Sequence, residues 1–415
     1  MFKGHSIFSV RTLVGLFAGL MFFFVTSCTI VKHYPRNKPF VYKTNITVKG
    51  DFTNEERANL TSRLKGQLDD SMKSRSVSKI LWSVMKNPPL YDSANAGKSL
   101  IYMRALLVSL GYFKDTITYQ ARVDSSAKDQ LRTTVDFTVT PGKVVRIDSF
   151  AYNIKQADMQ ALVVQNPGLI KKGDPFAKAT ISEELDRLVT LYRNNGYMRF
   201  GREELIGLWD TVDISLLQPT FDPLEQLEML QKLKERRQNP TADLEIRLRP
   251  GFDSTKLTRY YIGHIDVYPD LTTDTLGLKS VPVQIGNTTV HSFHNMFKPK
   301  IFPQNIFLHH KDLYDQRNFF RTINRFNSLN SWRLVNIEQK ARPGQDTSDF
   351  VILLTPAKKY SFTANLEASR NNNLVSGNLL GIGVNVGLQN RNFAHSANQA
   401  STNIRFGVET GRDTA

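Results

Sequence analysis

Between Tyr360 and Glu409 the chain alternates apolar and polar residues in three runs. The first sets Tyr360, Phe362, Ala364, Leu366 and Ala368 against Ser361, Thr363, Asn365, Glu367 and Ser369. The second sets Ile382, Val384, Val386 and Leu388 against Gly383, Asn385, Gly387 and Gln389. The third sets Ala400, Thr402, Ile404, Phe406 and Val408 against Ser401, Asn403, Arg405, Gly407 and Glu409. A period of two gives a strand one apolar and one polar face. All the charge (Glu367, Arg405 and Glu409) falls on the polar set. Runs of about ten residues suit a tilted strand crossing hydrocarbon. The pattern predicts the opening antiparallel strands of a transmembrane β-barrel. A soluble sandwich sheet shares the period but has less reason to keep its outer face free of charge.

Upstream, three units follow the same order of parts. Each ends in a β-rich run halted by proline: Thr134–Thr140 before Pro141-Gly142, Leu244–Arg249 before Pro250-Gly251, and Phe350–Thr355 before Pro356-Ala357. Proline cannot donate to a ladder and glycine accepts a turn, so these read as strand exits. They recur at roughly 105–110 residues, longer than solenoid periods. In the first unit, Val41–Val48 reads as a strand and Thr53 with Glu56 as a capping box. Leu60, Leu64 and Leu68 mark one helical face. Ser78–Met85 reads as a short apolar helix ahead of Pro88-Pro89. Asp92 opens another helix that ends at Gly111, and Tyr112–Val123 and Leu131–Thr140 read as paired strands. The second unit repeats strand, two helices and two strands, with an insertion from Leu208 to Pro240 carrying its own helix around Leu224, Leu227, Leu230 and Leu233. The third has Asn330-Ser331-Trp332 where the first two end their helix in Gly-Tyr. Each unit therefore reads β-α-α-β-β, an α+β arrangement.

Composition adds an address. The single cysteine, Cys28, closes a segment with Lys3 and Arg11 ahead of an apolar stretch from Leu13 to Val25. Such a stretch is short for a membrane span and has the layout of an export signal. The net charge of +16 is spread along the chain. No nucleic-acid module accompanies it, so lipid headgroups are the expected anionic neighbours and nucleic acid is not. Thr29–Phe40 is polar and basic with two prolines, and reads as a tether from residue 28 to 40.

Signs of catalysis are missing from the sequence: it has no Gly-x-Ser-x-Gly, no His-Glu-x-x-His and no cysteine pair. His291 with His294, and the pair His309-His310, lack the carboxylate or thiol set of a metal site. The expectation is a non-enzymatic protein with neither metal nor cofactor.

Lys172-Gly173-Asp174-Pro175-Phe176, followed by Leu185, Leu188 and Asn195-Gly196-Tyr197, resembles the pattern of POTRA (polypeptide-transport-associated) helices, and Leu110-Gly111-Tyr112 repeats the helix end. Gly381-Ile382-Gly383-Val384 through Asn390-Arg391-Asn392-Phe393 is similar to the first hairpins of the BamA/TamA superfamily. Val25-Thr26-Ser27-Cys28 resembles a lipobox, with Val25 where leucine is usual. Together these resemble the TamA-like lipoproteins of Bacteroidetes-type bacteria (TamL). The resemblance implies a signal peptide over 1–27, lipidation at Cys28, POTRA domains over 41–142, 143–251 and 252–357, and a barrel start over 358–415. It also implies more barrel than three strands, so the chain reads as an incomplete copy.

The implied function is outer-membrane protein assembly. Unfolded clients would add to periplasmic POTRA edges by β-augmentation and insert at a barrel seam. In this family the second strand is typically the edge, which points to Phe113, Thr116, Thr118, Met198, Phe200, Trp332 and Leu334. The seam would be Tyr360, Ser361, Phe362, Thr363, Ala364, Asn365 and Leu366. A TamB-like inner-membrane protein is a further implied partner. A two-partner secretion pore and a lipoprotein adaptor are the competing classes.

Overall fold

The structure, a computed structural model, describes residues 29–78, 83–127, 129–210, 231, 234, 238–275, 277–373 and 377–411. Cys28, the export segment and the insertion helix around Leu224–Leu233 lie outside the described residues. Contacts divide the chain into two compact units: Met1–Ala151, Gly168–Glu184 and Gly207–Glu245 in one, Tyr152–Pro167, Leu185–Ile206 and Ile246–Ala415 in the other.

The first repeat contains β1 (Thr29–Lys32), β2 (Pro39–Val48), α1 (Asn54–Gly66), β3 (Ser76–Ser78), β4 (Ser83–Lys86), α2 (Ser93–Ser109), β5 (Thr116–Asp124) and β6 (Leu131–Thr140). Its main sheet runs β2-β6-β5, with β2 parallel and β5 antiparallel to β6. Helix α1 starts where its capping box dictates. The Thr53 hydroxyl accepts the Glu56 N–H at 3.2 Å, and the Glu56 carboxylate accepts the Thr53 N–H at 2.9 Å. Leu60, Leu64, Met103 and Leu107 bury against Val135, Phe137 and Val139, each side chain contributing roughly 1.5–3 kcal/mol by leaving water.

Two expectations fail here. Thr29–Lys32 is not a tether: β1 lies parallel to β4, and Val31 buries with Phe40 and Met85. Of the stretch read as a helix from Ser78 to Met85, Ser78 ends β3 and Ser83–Met85 lie in β4, which pairs antiparallel to β3, while residues 79–82 lie outside the described residues. Ser83 and Met85 bury at alternate positions of β4, and Val77 and Val84 are β-branched, which favours a pleated ladder over a helical turn.

The second repeat has β7 (Arg146–Asn153), α3 (Ala157–Gln165), α4 (Lys178–Arg193), β8 (Leu205–Asp210) and β9 (Thr241–Leu248), with sheet order β7-β9-β8. The third has β10 (Tyr261–Tyr268), β11 (Val281–Ile285), β12 (Thr288–Ser292), α5 (Ile301–Asn305), α6 (Gln316–Ser328), β13 (Trp332–Ala341) and β14 (Thr347–Pro356). Its sheet runs β11-β12-β10-β14-β13. The β11–β12 hairpin is an addition to the β-α-α-β-β order. Its signal was present, since Val281, Val283 and Ile285 alternate before a two-residue Gly286-Asn287 turn with Gly286 at φ 60°.

One joint recurs at the end of each repeat's last helix. Within three residues of the end of each helix the backbone turns left-handed: at Gly111 past α2 (φ 91°), at Gly196 past α4 (φ 99°) and at Asn330 past α6 (φ 53°). Asparagine is the usual substitute for glycine at a left-handed helix end. The carbonyl of Gly111 accepts the N–H of Val145 at 2.9 Å, and that of Gly196 accepts the N–H of Tyr260 at 2.9 Å. At the third joint Ala357 donates to Ser331 at 2.9 Å. Each helix end thus receives the backbone that leads into the next element.

Beyond the third repeat lie β15 (Tyr360–Asn373), β16 (Gly377–Phe393) and β17 (Asn398–Gly411), an open antiparallel sheet in the order β15-β16-β17.

Candidate functional site

A three-stranded sheet has two edges whose backbone groups face outward, and an edge can accept a further strand. In the first repeat β5 is such an edge, paired with β6 alone from Thr116↔Thr140 to Asp124↔Arg132. Ile117 turns into the core while Thr116 and Thr118 face outward, exposed. Phe113 does not belong to this edge. Its ring stacks on Trp209 at 5.2 Å and meets Phe176 at 6.0 Å, forming an aromatic cluster.

In the second repeat the edge is β8, and it begins at Leu205. Met198 and Phe200 therefore lie ahead of it, both buried at 6% and 0% exposure. Their period-two spacing imitates a strand, but Gly196 turns the chain, and the Phe200 N–H donates back to the Tyr197 carbonyl at 3.0 Å. A 3-10 turn over Arg202–Glu204 follows, and the buried Glu204 carboxylate accepts the Gly201 N–H at 2.8 Å. Phe200 packs edge-on to Tyr192 at 4.9 Å. Tyr197 donates to Asp158 at 2.7 Å. That bond holds the Asp158 carboxyl below its ordinary range, while burial first, and the same bond second, push the tyrosine well up.

In the third repeat β13 is the edge, paired from Trp332↔Pro356 to Ala341↔Ser348 with a bulge between Trp332 and Leu334. The two residues point opposite ways. Trp332 is core: its indole N–H donates to the Pro269 carbonyl at 2.8 Å and its ring meets Phe297 at 4.7 Å. Leu334 is outward at 59% exposure.

The last sheet places Tyr360, Ser361, Phe362, Thr363, Ala364, Asn365 and Leu366 on β15, which pairs with β16 on one side only. Cross-strand register groups the side chains by face. Phe362 sits opposite Leu388, Leu366 opposite Val384, and Val384 opposite Phe406. This apolar face is open: Phe362 is 68% exposed and Leu366 84%. On the other face Arg405 pairs with Glu367 at 2.7 Å, and Ser361 donates to Gln389 at 3.2 Å. Glycine makes room there. A Cβ on Gly387 would lie 2.5 Å from the Asn403 carboxamide oxygen and 2.6 Å from the Thr363 hydroxyl. A face thinned by glycine favours curling toward that side, the direction a barrel lumen needs.

The β16–β17 turn folds back on the third repeat. Ala394, His395 and Ala397 all have φ near 55°, a region non-glycine residues enter only when held there. The holding bonds are explicit. Asn392 donates to the Met296 carbonyl at 2.7 Å, and Lys298 N–H donates to the His395 carbonyl at 2.8 Å. The Ser331 hydroxyl donates to the Arg391 carbonyl at 2.5 Å, Gln399 donates to Leu329 at 3.0 Å, and Ala397 is buried in the repeat's core. The signal of this contact in the sequence was Ser331 at the position occupied by Tyr112 and Tyr197 in the other repeats, where the departure from pattern is the docking group.

Two of the candidate histidines, His291 and His310, have structural partners for their rings. His291 bonds Asp266 at 2.8 Å and stacks on Tyr268, and His310 bonds the Gly263 carbonyl at 2.9 Å. The buried Asp270 carboxylate accepts the N–H of Phe293 and of His294, and the Ser292 hydroxyl.

The three repeats are helix-backed α+β units, and an open antiparallel sheet follows the third. No protein-family model matches the chain, and no curated protein does. Among solved structures it is similar to POTRA domains 3–5 of BamA from Haemophilus influenzae, at 14% identity and a TM-score of 0.32, over 78% of this chain and 100% of that one. It is similar to BamA from Haemophilus ducreyi lacking POTRA domains 1–3, at 10% identity and 0.33, over 63% of this chain and 43% of that one. A third likeness is to CdiB from Acinetobacter baumannii, at 9% identity and 0.22, over 96% of this chain and 46% of that one. The chain thus spans less than half the length of the latter two.

Proposed function

We propose that the chain is an outer-membrane assembly factor whose POTRA-like repeats receive unfolded outer-membrane clients and pass them to a seam at β15. The observation that carries this reading is the last sheet: an uncharged, exposed apolar face, a polar face thinned by glycine, and a first strand paired on one side only. That combination suits lipid on one side, water on the other, and a free ladder for an incoming strand. The exposed edges β5, β8 and β13 would supply β-augmentation sites along the approach. Within this reading the revised client-facing residues are Thr116, Thr118 and Leu334, while Phe113, Met198, Phe200 and Trp332 hold the domains together.

On this reading the protein resides in the outer membrane with its repeats in the periplasm. A lipid at Cys28 would tether it as in TamL, and a TamB-like inner-membrane protein would be its partner. Depletion followed by outer-membrane proteomics tests the proposal. Loss of many barrel proteins supports assembly; loss of one secreted substrate alone identifies a secretion pore instead. An unchanged outer-membrane protein profile would leave the adaptor class.

A further inference from the structure

The base of the barrel-type sheet is ringed by cations without counter-charges. Four segments meet there, tied by bonds already described: Phe293–Leu308, Ser328–Ile337, Thr355–Leu366 and Leu388–Ala400. None contains an Asp or Glu, while they carry Lys298, Lys300, Arg333, Lys358, Lys359 and Arg391. The bonds bring the charges together. Lys298 N–H reaches the His395 carbonyl, Arg391 N–H reaches the Lys359 carbonyl at 2.8 Å, and the Arg391 guanidinium lies 3.5 Å from the Lys358 carbonyl. Lys298, Lys300 and Lys358 are exposed, and none of the six cations makes an ion pair among the described residues. The neighbouring carboxylate, Asp270, is fully buried and already accepts three donors.

Position gives the cluster its meaning. The exposed apolar face begins at Tyr360, 58% exposed, and Phe393, 56% exposed, stands at the same end of β16. At about 3.3 Å per residue, Lys358 and Lys359 lie within ~7 Å of Tyr360. Aromatic rings at the rim of an apolar band mark the membrane–water boundary. Cations one step beyond that boundary stand at the level of lipid phosphates.

We propose that Lys298, Lys300, Lys358, Lys359 and Arg391 form a collar that binds the headgroups of anionic phospholipid in the periplasmic leaflet. The proposal rests on the membrane reading of the last sheet and adds to it a lipid class and a residue set. Long cationic side chains place charge at the phosphate while their stems lie along apolar surface. The turn that carries His395 is pinned to Met296 and Lys298, so the collar sits on fixed backbone. Lipid binding at this level would hold the third repeat against the membrane beside β15.

The test uses flotation of the full chain with vesicles of phosphatidylcholine alone and of phosphatidylcholine with phosphatidylglycerol in equal parts. The variant carries K298Q, K300Q, K358Q and K359Q. Its control carries K49Q, K65Q, K98Q and K114Q, all exposed and on the first repeat. Circular dichroism checks that each is folded, and the pair K358Q/K359Q serves if the quadruple variant is not. The proposal expects preference for the anionic vesicles to fall roughly fivefold for each collar charge removed. The control should retain that preference, and salt should weaken it. Unchanged preference in the collar variant, or equal loss in the control, overturns the collar. Binding to phosphatidylcholine alone reports on the apolar sheet face separately. If it persists while the collar fails, the membrane reading stands without the collar. Absence of binding to either vesicle overturns both.

Discussion

The Ser331 hydroxyl lies 2.5 Å from the Arg391 carbonyl, joining the end of the third repeat's last helix to the last turn of β16 before it reverses into β17. Ser331 is 2% exposed, so the carbonyl it satisfies has no ready substitute from water. Ser331→Ala removes the donor and should cost about 1–3 kcal/mol locally. The expected outcome is faster amide hydrogen exchange over residues 391–398, with first-repeat amides unchanged. Uniform protection across both would contradict a docking role for Ser331.

The joints between repeats predict an order of sensitivity. A Cβ at Gly111 would meet the Phe176 backbone carbonyl at 2.9 Å, whereas one at Gly196 would meet the flexible end of Leu313 at 2.7 Å. Both positions share the cost of a left-handed alanine, about 1–2 kcal/mol. Gly111→Ala must also displace backbone, so it should lower the denaturant midpoint more than Gly196→Ala. The reverse order in chemical denaturation would refute this account of the joint.

Phe113 separates a structural from a client-binding role. Because its ring packs with Phe176 and Trp209, Phe113→Ala should destabilise the chain by roughly 2 kcal/mol. Thr118→Ala, on the exposed edge of β5, should change stability by less than about 0.5 kcal/mol. Thermal melts of the two variants decide the matter. Equal melting temperatures would return Phe113 to the client-facing edge.

Acid should weaken the second and third repeats. Asp158 is held below its ordinary range by the Tyr197 hydroxyl, and Asp349 by Arg342 first and by the His264 N–H as well. A carboxyl whose folded value is depressed adds stability that is present above its unfolded value and lost as pH falls through the folded one. The loss should therefore appear below about pH 4. Asp158→Asn should be less stable at neutral pH and lose less on acidification, as read from melting temperature against pH. A variant with the parent's full acid slope would exclude Asp158 as a contributor.

The three period-two runs were legible because the demands of an apolar face and a polar face repeat at every second residue. Strands β15, β16 and β17 fall on those runs and extend beyond them. The helices were legible for a related reason: Thr53, Asp92 and the left-handed helix ends are local signals that act before any tertiary contact. What misled was apolar spacing produced by tertiary packing. Met198 and Phe200 alternate because both side chains bury in a turn, and the Ser78–Met85 stretch misleads because Ser83 and Met85 bury at alternate positions of strand β4. The docked turn was invisible for another reason. Its bonds link residues about sixty to a hundred positions apart, and only the odd placement of Ser331 hinted at it.

The central claim is that β15 offers its unpaired ladder to client strands. In an antiparallel pair, successive residues turn their N–H groups alternately toward and away from the partner. Proline at the positions facing away from β16 removes outward donors while leaving the β15–β16 ladder. Placing proline at such alternate positions between Phe362 and Leu366 and measuring client barrel proteins in the outer membrane tests the claim most directly. The account predicts that client assembly falls sharply while the variant itself reaches the membrane at its normal level. Normal client assembly with those prolines in place would contradict it.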